Sequence, residues 1–254
     1  MINGNASGIG VFCSTVENSS RKFDTLFEQY SGNSTQNKFS VPGLTELLAG
    51  KYEITREPGD KKIVDTVKGE NATFYITEKK ACPIGFAVDY ILTEDEFMMI
   101  SQEQKALVLM QAAIIDESEL NKLENVASSI RKSDFDYEEN IDSLVDKTIS
   151  NKVLEFHKDS HGFTCTTFYD KNRLIYFTVP WSEGWKVSID GKETKLINSG
   201  GMMALIVPEG KHQVEFVYHT PGFFIGIITS LVSCFIFIIY VMYNIKTVRA
   251  EKSA

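Results

Sequence analysis

The chain has 254 residues, a formal net charge of −8 and a sequence pI near 5.1, with 43% hydrophobic and 24% charged residues. These are globular proportions, so wholesale disorder is excluded, and the length suffices for one large domain or two small ones. The acidic balance and the lack of a basic stripe argue against a nucleic-acid partner, and Cys13, Cys82, Cys165 and Cys234 lie too far apart for a zinc site or a dense disulfide framework.

Residues 1 to about 40 are rich in Ser, Asn and Gly, with a short amphipathic piece around Phe23, Leu26, Phe27 and Tyr30. A second apolar piece, Leu44 to Leu48, leads into a strand-like Lys51–Thr55. Glu57-Pro58-Gly59-Asp60 predicts a turn, because Pro fixes φ and Gly supplies a positive one. Thr73–Thr77 and Gly85–Tyr90 are β-branched and aromatic, which predicts two further strands.

The pattern then turns helical. Thr93 with Glu96 three residues on is a capping box, and the spacing predicts a helix carrying Phe97, Leu107, Met110 and Ile114. Leu120, Leu123, Val126 and Ile130 recur at helical spacing and predict a second helix ending near Lys132. The acidic stretch Asp134–Asp146 is expected to be a loop or a frayed helix.

From Lys152 the period drops to two. Strands are predicted at Lys152–Lys158, Gly162–Tyr169, Leu174–Val179, Lys186–Ile189, Thr194–Ile197, Met202–Val207 and Gln213–Tyr218. Asp170-Lys171-Asn172, Asp190-Gly191, Ser199-Gly200-Gly201 and Glu209-Gly210 supply the turns, Asp190-Gly191 as a type I′ hairpin. Seven short strands at this spacing predict an antiparallel β-sandwich.

Phe223 to Ile245 is a run of 23 residues without a charged side chain. As a helix it is about 35 Å long, enough to cross a hydrocarbon core of about 30 Å. Tyr240 and Tyr243 stand where an interfacial aromatic belt is expected. The tail carries net +2 (Lys246, Arg249 and Lys252 against Glu251), so the remainder of the −8 chain carries −10. The positive-inside rule then puts the tail in the cytoplasm and the acidic bulk outside. Met1–Gly8 has neither a basic n-region nor an apolar h-region. Two arrangements follow: a tail-anchored chain with its bulk inside, or the end of a longer membrane protein. The charge bias favours the second.

The expected fold is therefore mainly β, an antiparallel β-sandwich with a mixed α/β N-terminal part and one C-terminal transmembrane helix. The expected division is residues 1–150, a mixed α+β extracytoplasmic region; 151–220, the sandwich; 221–245, the span; and 246–254, a cytoplasmic tail.

The last hundred residues hold a connected pattern. Phe177-Thr178-Val179-Pro180-Trp181-Ser182-Glu183-Gly184-Trp185 runs into Val187-Ser188-Ile189-Asp190-Gly191-Lys192, then Gly200-Gly201-Met202-Met203, Val207-Pro208-Glu209-Gly210-Lys211-His212 and Thr220-Pro221-Gly222-Phe223. This block resembles the C-terminal end of the YfhO-like family of bacterial multi-pass membrane proteins, regarded as GT-C-type glycosyltransferases of the cell envelope. Leu47-Leu48-Ala49-Gly50-Lys51-Tyr52 and Ala81-Cys82-Pro83-Ile84-Gly85 are similar to earlier family segments, with Ala49-Gly50 for glycine-valine and Cys82 for leucine. The resemblance implies a whole enzyme that moves sugar from a polyprenyl-phosphate carrier to an envelope polymer such as teichoic acid. Its implied partners are the lipid bilayer, the lipid-linked sugar, the polymer and upstream membrane helices. It implies no cofactor, and its catalytic Asp belongs to a loop outside these residues, so no residue here inherits a catalytic role. The alternative is a self-standing, non-catalytic, membrane-anchored module that binds carbohydrate or protein.

Trp181 and Glu183 are the candidate substrate-binding residues. A flat indole face stacks on sugar C–H groups while a carboxylate accepts hydrogen bonds from hydroxyls. The competing reading is packing: Gly184 turns the chain, Trp185 enters the core and Trp181 stays more exposed. His157 and His161 are four apart, yet the Asp159-Ser160 turn separates them and no third ligand is identifiable, so no metal site is expected. His212 and His219 read only as strand-face residues. Glu138-Glu139 and Asp116-Glu117 sit in solvated runs with nothing to raise a pKa, and no basic pocket for a phosphate is legible.

Overall fold

The computed structural model describes residues 18–27, 41–117, 128–129 and 140–251. The chain divides into two compact units, Met1–Val217 and Tyr218–Ala254.

In the first unit α1 (Asn18–Leu26) and α2 (Leu44–Leu47) precede β1 (Tyr52–Thr55), β2 (Ile63–Lys68) and β3 (Thr73–Glu78). β4 (Gly85–Val88), β5 (Tyr90–Leu92), α3 (Glu94–Met98), α4 (Lys105–Leu109), β6 (Ala112–Ile114) and β7 (Ser128–Ser129) follow. After α5 (Ile141–Ser150) come β8 (Leu154–Lys158), β9 (Gly162–Tyr169), β10 (Arg173–Pro180), β11 (Trp185–Ile189), β12 (Lys192–Thr194), β13 (Ile197–Ser199), β14 (Met202–Val207) and β15 (Gly210–Tyr218).

Two antiparallel sheets make the sandwich: a four-stranded one, ordered β13-β14-β10-β4, and a five-stranded one, ordered β12-β11-β15-β9-β8. Between them lies one core, in which Ile175, Phe177, Met203, Leu205 and Val207 of the first sheet meet Phe163, Cys165, Val187, Val214 and Phe216 of the second. Register places these residues together, since Ile175 faces Leu205 and Phe177 faces Met203 across one ladder, while Cys165 faces Val214 and Phe163 faces Phe216 across the other. The rings of Phe163 and Phe216 stack at 4.3 Å.

The four-stranded sheet is covered on its other face too. Leu174, Tyr176 and Ala204 alternate with the sandwich residues and pack against α1, α2, α3 and α5 through Leu26, Leu44, Phe97 and Val145 among others. Both faces of β10 are therefore dry, and its Leu174–Phe177 run is buried throughout rather than alternating. The hydrogen-bonded sheet also crosses residue 150, because β4 pairs with β10 from Leu174↔Val88 to Phe177↔Gly85.

The helical region departs from expectation. The capping box at Thr93 is present: the Thr93 hydroxyl accepts from the Glu96 N–H at 3.2 Å, and the Glu96 carboxylate accepts from the Thr93 N–H at 2.9 Å. The helix it opens nevertheless ends at Met98. Tertiary pairing overrides the 3.6-residue period, because Ala112–Ile114 lies parallel to β5, with Ile91 opposite Ala113. A parallel pair needs a crossover, and α3 and α4 provide it. The predicted Leu120–Ile130 helix lies outside the described residues except for Ser128–Ser129, which form a strand paired with β5. Within Asp134–Asp146, the described part from Ile141 is regular helix, capped by the Asn140 side chain and anchored by buried Leu144, Val145 and Thr148. Thr194–Ile197 proves to be two strand ends in different sheets, with Lys195-Leu196 crossing between them. β2 had no counterpart in the sequence reading.

In the second unit α6 (Phe223–Glu251) is one continuous helix, and Phe223–Asn244 is long and apolar enough to cross a membrane.

Candidate functional site

The Trp181–Gly184 connection joins β10 to β11. The Trp181 N–H donates to the Gly201 carbonyl at 2.9 Å, which seats the connection on the Gly200-Gly201 turn. Gly201 must be glycine: its φ is +94°, and a Cβ there would stand 2.3 Å from the Ser19 carbonyl oxygen. Trp181 and Trp185 are both half-buried against the sandwich core. Trp185 meets Phe163 edge-on at 5.7 Å and Phe216 at 6.5 Å. The expectation of a core Trp185 is thus corrected, because its ring, like that of Trp181, leans on the rim of the cluster. Glu183 is exposed in the turn, two residues along from Trp181.

His157 stands exposed on β8 and His161 in the turn beyond it. The Asp159 carboxylate accepts the His161 and Gly162 N–H groups at 2.7 and 2.8 Å, which holds it below the usual carboxylate range. The Asp159 carboxylate thus closes the turn. Among the described residues no group of three His, Cys, Asp or Glu side chains gathers.

His212, read from sequence as a bare strand-face residue, is part of a clamp. Its Nδ1 lies 2.6 Å from the Asp190 carboxylate and its Nε2 lies 2.9 Å from the Glu209 carbonyl. The second Asp190 oxygen accepts the Gln213 N–H at 2.9 Å. Asp190 and Gly191 have φ of 51° and 78°, as a type I′ turn requires. Both imidazole nitrogens face acceptors, so the protonated ring can donate on both sides. The Asp190 carboxylate, then the Glu209 carbonyl, hold His212 above its ordinary range.

A cleft of about 500 Å³ opens at one end of the β1-β3-β2 sheet. The antiparallel order brings the start of β1, the start of β2 and the end of β3 to that end, and with them Lys51, Lys62, Lys79 and Lys80. Glu78 sits between two of these, 3.1 Å from the Lys51 ammonium and 3.6 Å from that of Lys62. Lys79 pairs with Glu46 at 2.8 Å and Lys80 with Asp146 at 2.7 Å. Hydrogen bonding to Lys51 holds Glu78 below the usual carboxylate range. Ala49, Ala81, Cys82, Pro83, Ile84 and Ile149 make the apolar wall, and burial pushes the Cys82 thiol up to about 11. Sequence inspection does not reveal this cleft, which four lysines line, each paired with an acid. Its signal lay in the Lys61-Lys62 and Lys79-Lys80 doublets, hidden because each lysine has an acid nearby in sequence and because β2 was unread.

A β-sandwich region followed directly in sequence by a membrane-length apolar helix defines the class as a membrane protein with a folded β-rich region. The family model described as "Bacterial membrane protein YfhO" matches residues 131–230, which take in most of the sandwich strands and the first turns of α6. The Bacillus subtilis (strain 168) protein described as "Uncharacterized protein YfhO" is 28% identical over 109 residues, 41% of this chain and 13% of the relative. Over residues 131–230 the chain is therefore similar to the YfhO family, and the matched part is a small fraction of that relative's length. No solved structure matches the chain significantly.

Proposed function

We propose that this chain is the C-terminal extracytoplasmic region and last membrane span of a polytopic bacterial envelope protein. In that reading the whole protein transfers sugar from a polyprenyl-phosphate carrier to an envelope polymer. The sandwich holds the polymer near the membrane, with the half-buried Trp181 offering its open edge to a sugar and Glu183 accepting from a hydroxyl. The observation that carries the reading is the YfhO match, which takes in most of the sandwich strands and runs into the span while covering little of the relative. The +2 tail supports a cytoplasmic C-terminus.

Cysteines introduced singly at Lys252 and at Asp190, probed with a membrane-impermeant reagent on intact cells, test the topology. Labelling at Asp190 alone is expected, and labelling at Lys252 alone reverses the reading. Sequencing the DNA upstream of Met1 tests the polytopic arrangement: further apolar spans in frame support it, and a stop codon favours the self-standing module. Polymer binding is followed by tryptophan fluorescence of the chain in detergent. Trp181→Ala should abolish the ligand-induced change, and a change of full size in that variant removes Trp181 from the site.

A further inference from the structure

We infer that α1 is a strap that regulates the carbohydrate contact proposed at Trp181, by holding or releasing the connection that carries it. The inference rests on that proposed contact and adds Ser19, Phe23 and Leu26 to it as positioning residues.

The coupling runs through one turn. Gly201 touches both partners: its carbonyl accepts the Trp181 N–H at 2.9 Å, and a Cβ on it would stand 2.3 Å from the Ser19 carbonyl oxygen and 3.0 Å from the Phe23 nitrogen. At the neighbouring Gly200 a Cβ would meet Leu26 Cδ1 at 2.9 Å. Gly201 has no side chain to take up slack, so α1 rests on the turn backbone itself. The turn is also stiff. The Asn198 side-chain oxygen accepts the Gly201 N–H at 2.9 Å, and the buried Ser199 hydroxyl accepts the Ile114 N–H at 3.0 Å. A stiff turn passes a displacement on. Where the connection leaves β10 the ladder is irregular, with a register shift between Phe177 and Pro180, so the Trp181–Gly201 bond is the tie that seats it.

α1 itself is built to be docked or lost. At nine residues it is too short to persist as an isolated helix, and it is helical only while Phe23, Leu26 and Phe27 are buried. Its last carbonyls are held from outside. The buried Lys105 ammonium donates to the Leu26 carbonyl at 2.6 Å, and the Gln102 amide donates to that of Phe27. A cation there also meets the negative end of the helix dipole. Lys22 adds a partly exposed tie to Glu94 at 2.8 Å. Coupling between two places needs an element with two states that both places bias, and α1 meets that requirement.

The test reads the tie directly, as amide hydrogen exchange resolved to single residues in the full chain in detergent. The quantity followed is the exchange rate of the Trp181 N–H relative to that of Phe216 in the sandwich core, which removes any general loss of stability. Lys105→Met, which deletes one charge-assisted hydrogen bond from the end of α1, should speed exchange at Phe23–Leu26 about tenfold and raise the Trp181 ratio by the same factor. Lys22→Gln, a milder change at a side chain that is 38% exposed, should raise both about twofold. Val145→Ala, at an equally buried residue of α5, should leave the ratio unchanged. Faster exchange in α1 with the Trp181 ratio unmoved, in either variant, overturns the strap, as does an equal rise of the ratio in Val145→Ala. Titration with envelope polymer in the same samples separates this inference from the one beneath it. A coupled rise without polymer binding in any variant removes the carbohydrate contact and, with it, the regulation. Polymer binding with an uncoupled Trp181 keeps the contact and removes the strap.

Discussion

The five-stranded sheet of the sandwich and the three-stranded β1-β3-β2 sheet use the same kinds of residues to opposite ends. In the first, Phe163 and Cys165 of β9 and Val214 and Phe216 of β15 stand at alternate positions and enter a dry core. In the second, β2 is exposed along its whole length, with Val64 49% and Val67 51% open. Tyr52, Ile54 and Ile63 are equally bare. Burial cannot hold such a sheet together. It rests on its ladders, on β-branched propensity and on ion pairs at its ends, Lys61–Glu53 at 2.5 Å and Lys51–Glu78 among them. Exposed pairs contribute about 0–1 kcal/mol each. The sandwich is the stable body, and the small sheet is its exposed margin.

Substitutions can break this contrast. Phe177→Ala, at a ring with no exposed surface that touches Phe163 and Phe216, should cost about 3–5 kcal/mol in denaturant unfolding. Gly201→Ala should cost more than about 1 kcal/mol, because it forces an L side chain into positive φ and onto the Ser19 carbonyl. Thr93→Ala, which deletes the cap of α3, should cost about 1 kcal/mol. Val67→Thr in β2 should stay within about 0.5 kcal/mol. A core-sized loss at Val67 sinks the idea of an uncovered margin.

The sandwich was legible because its strands obey a period of two and its turns carry Gly, Asp and Asn at the required positions. Gly162–Tyr169 and Met202–Val207 match the observed strands end to end. The span was legible from apolar length alone. The α3–β6 segment was not, because Ala112-Ala113-Ile114 has no strand signature and joins a parallel ladder for the sake of burial. β2 escaped because it has no buried face to impose a pattern. The His212 clamp depends on a contact across 22 residues between a turn and a neighbouring strand, which spacing cannot reveal. The shared rim position of Trp181 and Trp185 depends on how two sheets meet, which spacing along one strand cannot reveal.

The smallest expected effect sharpens the contrast at the edge of the large sheet, where the Asp190–His212 clamp brings the ionic style of the small sheet to the sandwich. Asp190 first, and the Glu209 carbonyl next, raise the folded His212 above the value of about 6.5 that it has in the unfolded chain. The contribution of His212 is therefore complete below about pH 6.5 and is lost as pH rises through the raised folded value. Asp190 is lowered, chiefly by His212 and then by the Gln213 N–H, so its contribution is present above its ordinary value of about 3.9 and is lost as pH falls through the lowered one. The pair works best between about pH 4 and 6.5. The Tm difference between the wild type and His212→Gln should be small, largest near pH 6, and should shrink toward pH 9. A difference that stays constant from pH 6 to 9 would mean that the imidazole holds the turn by shape alone, without its charge.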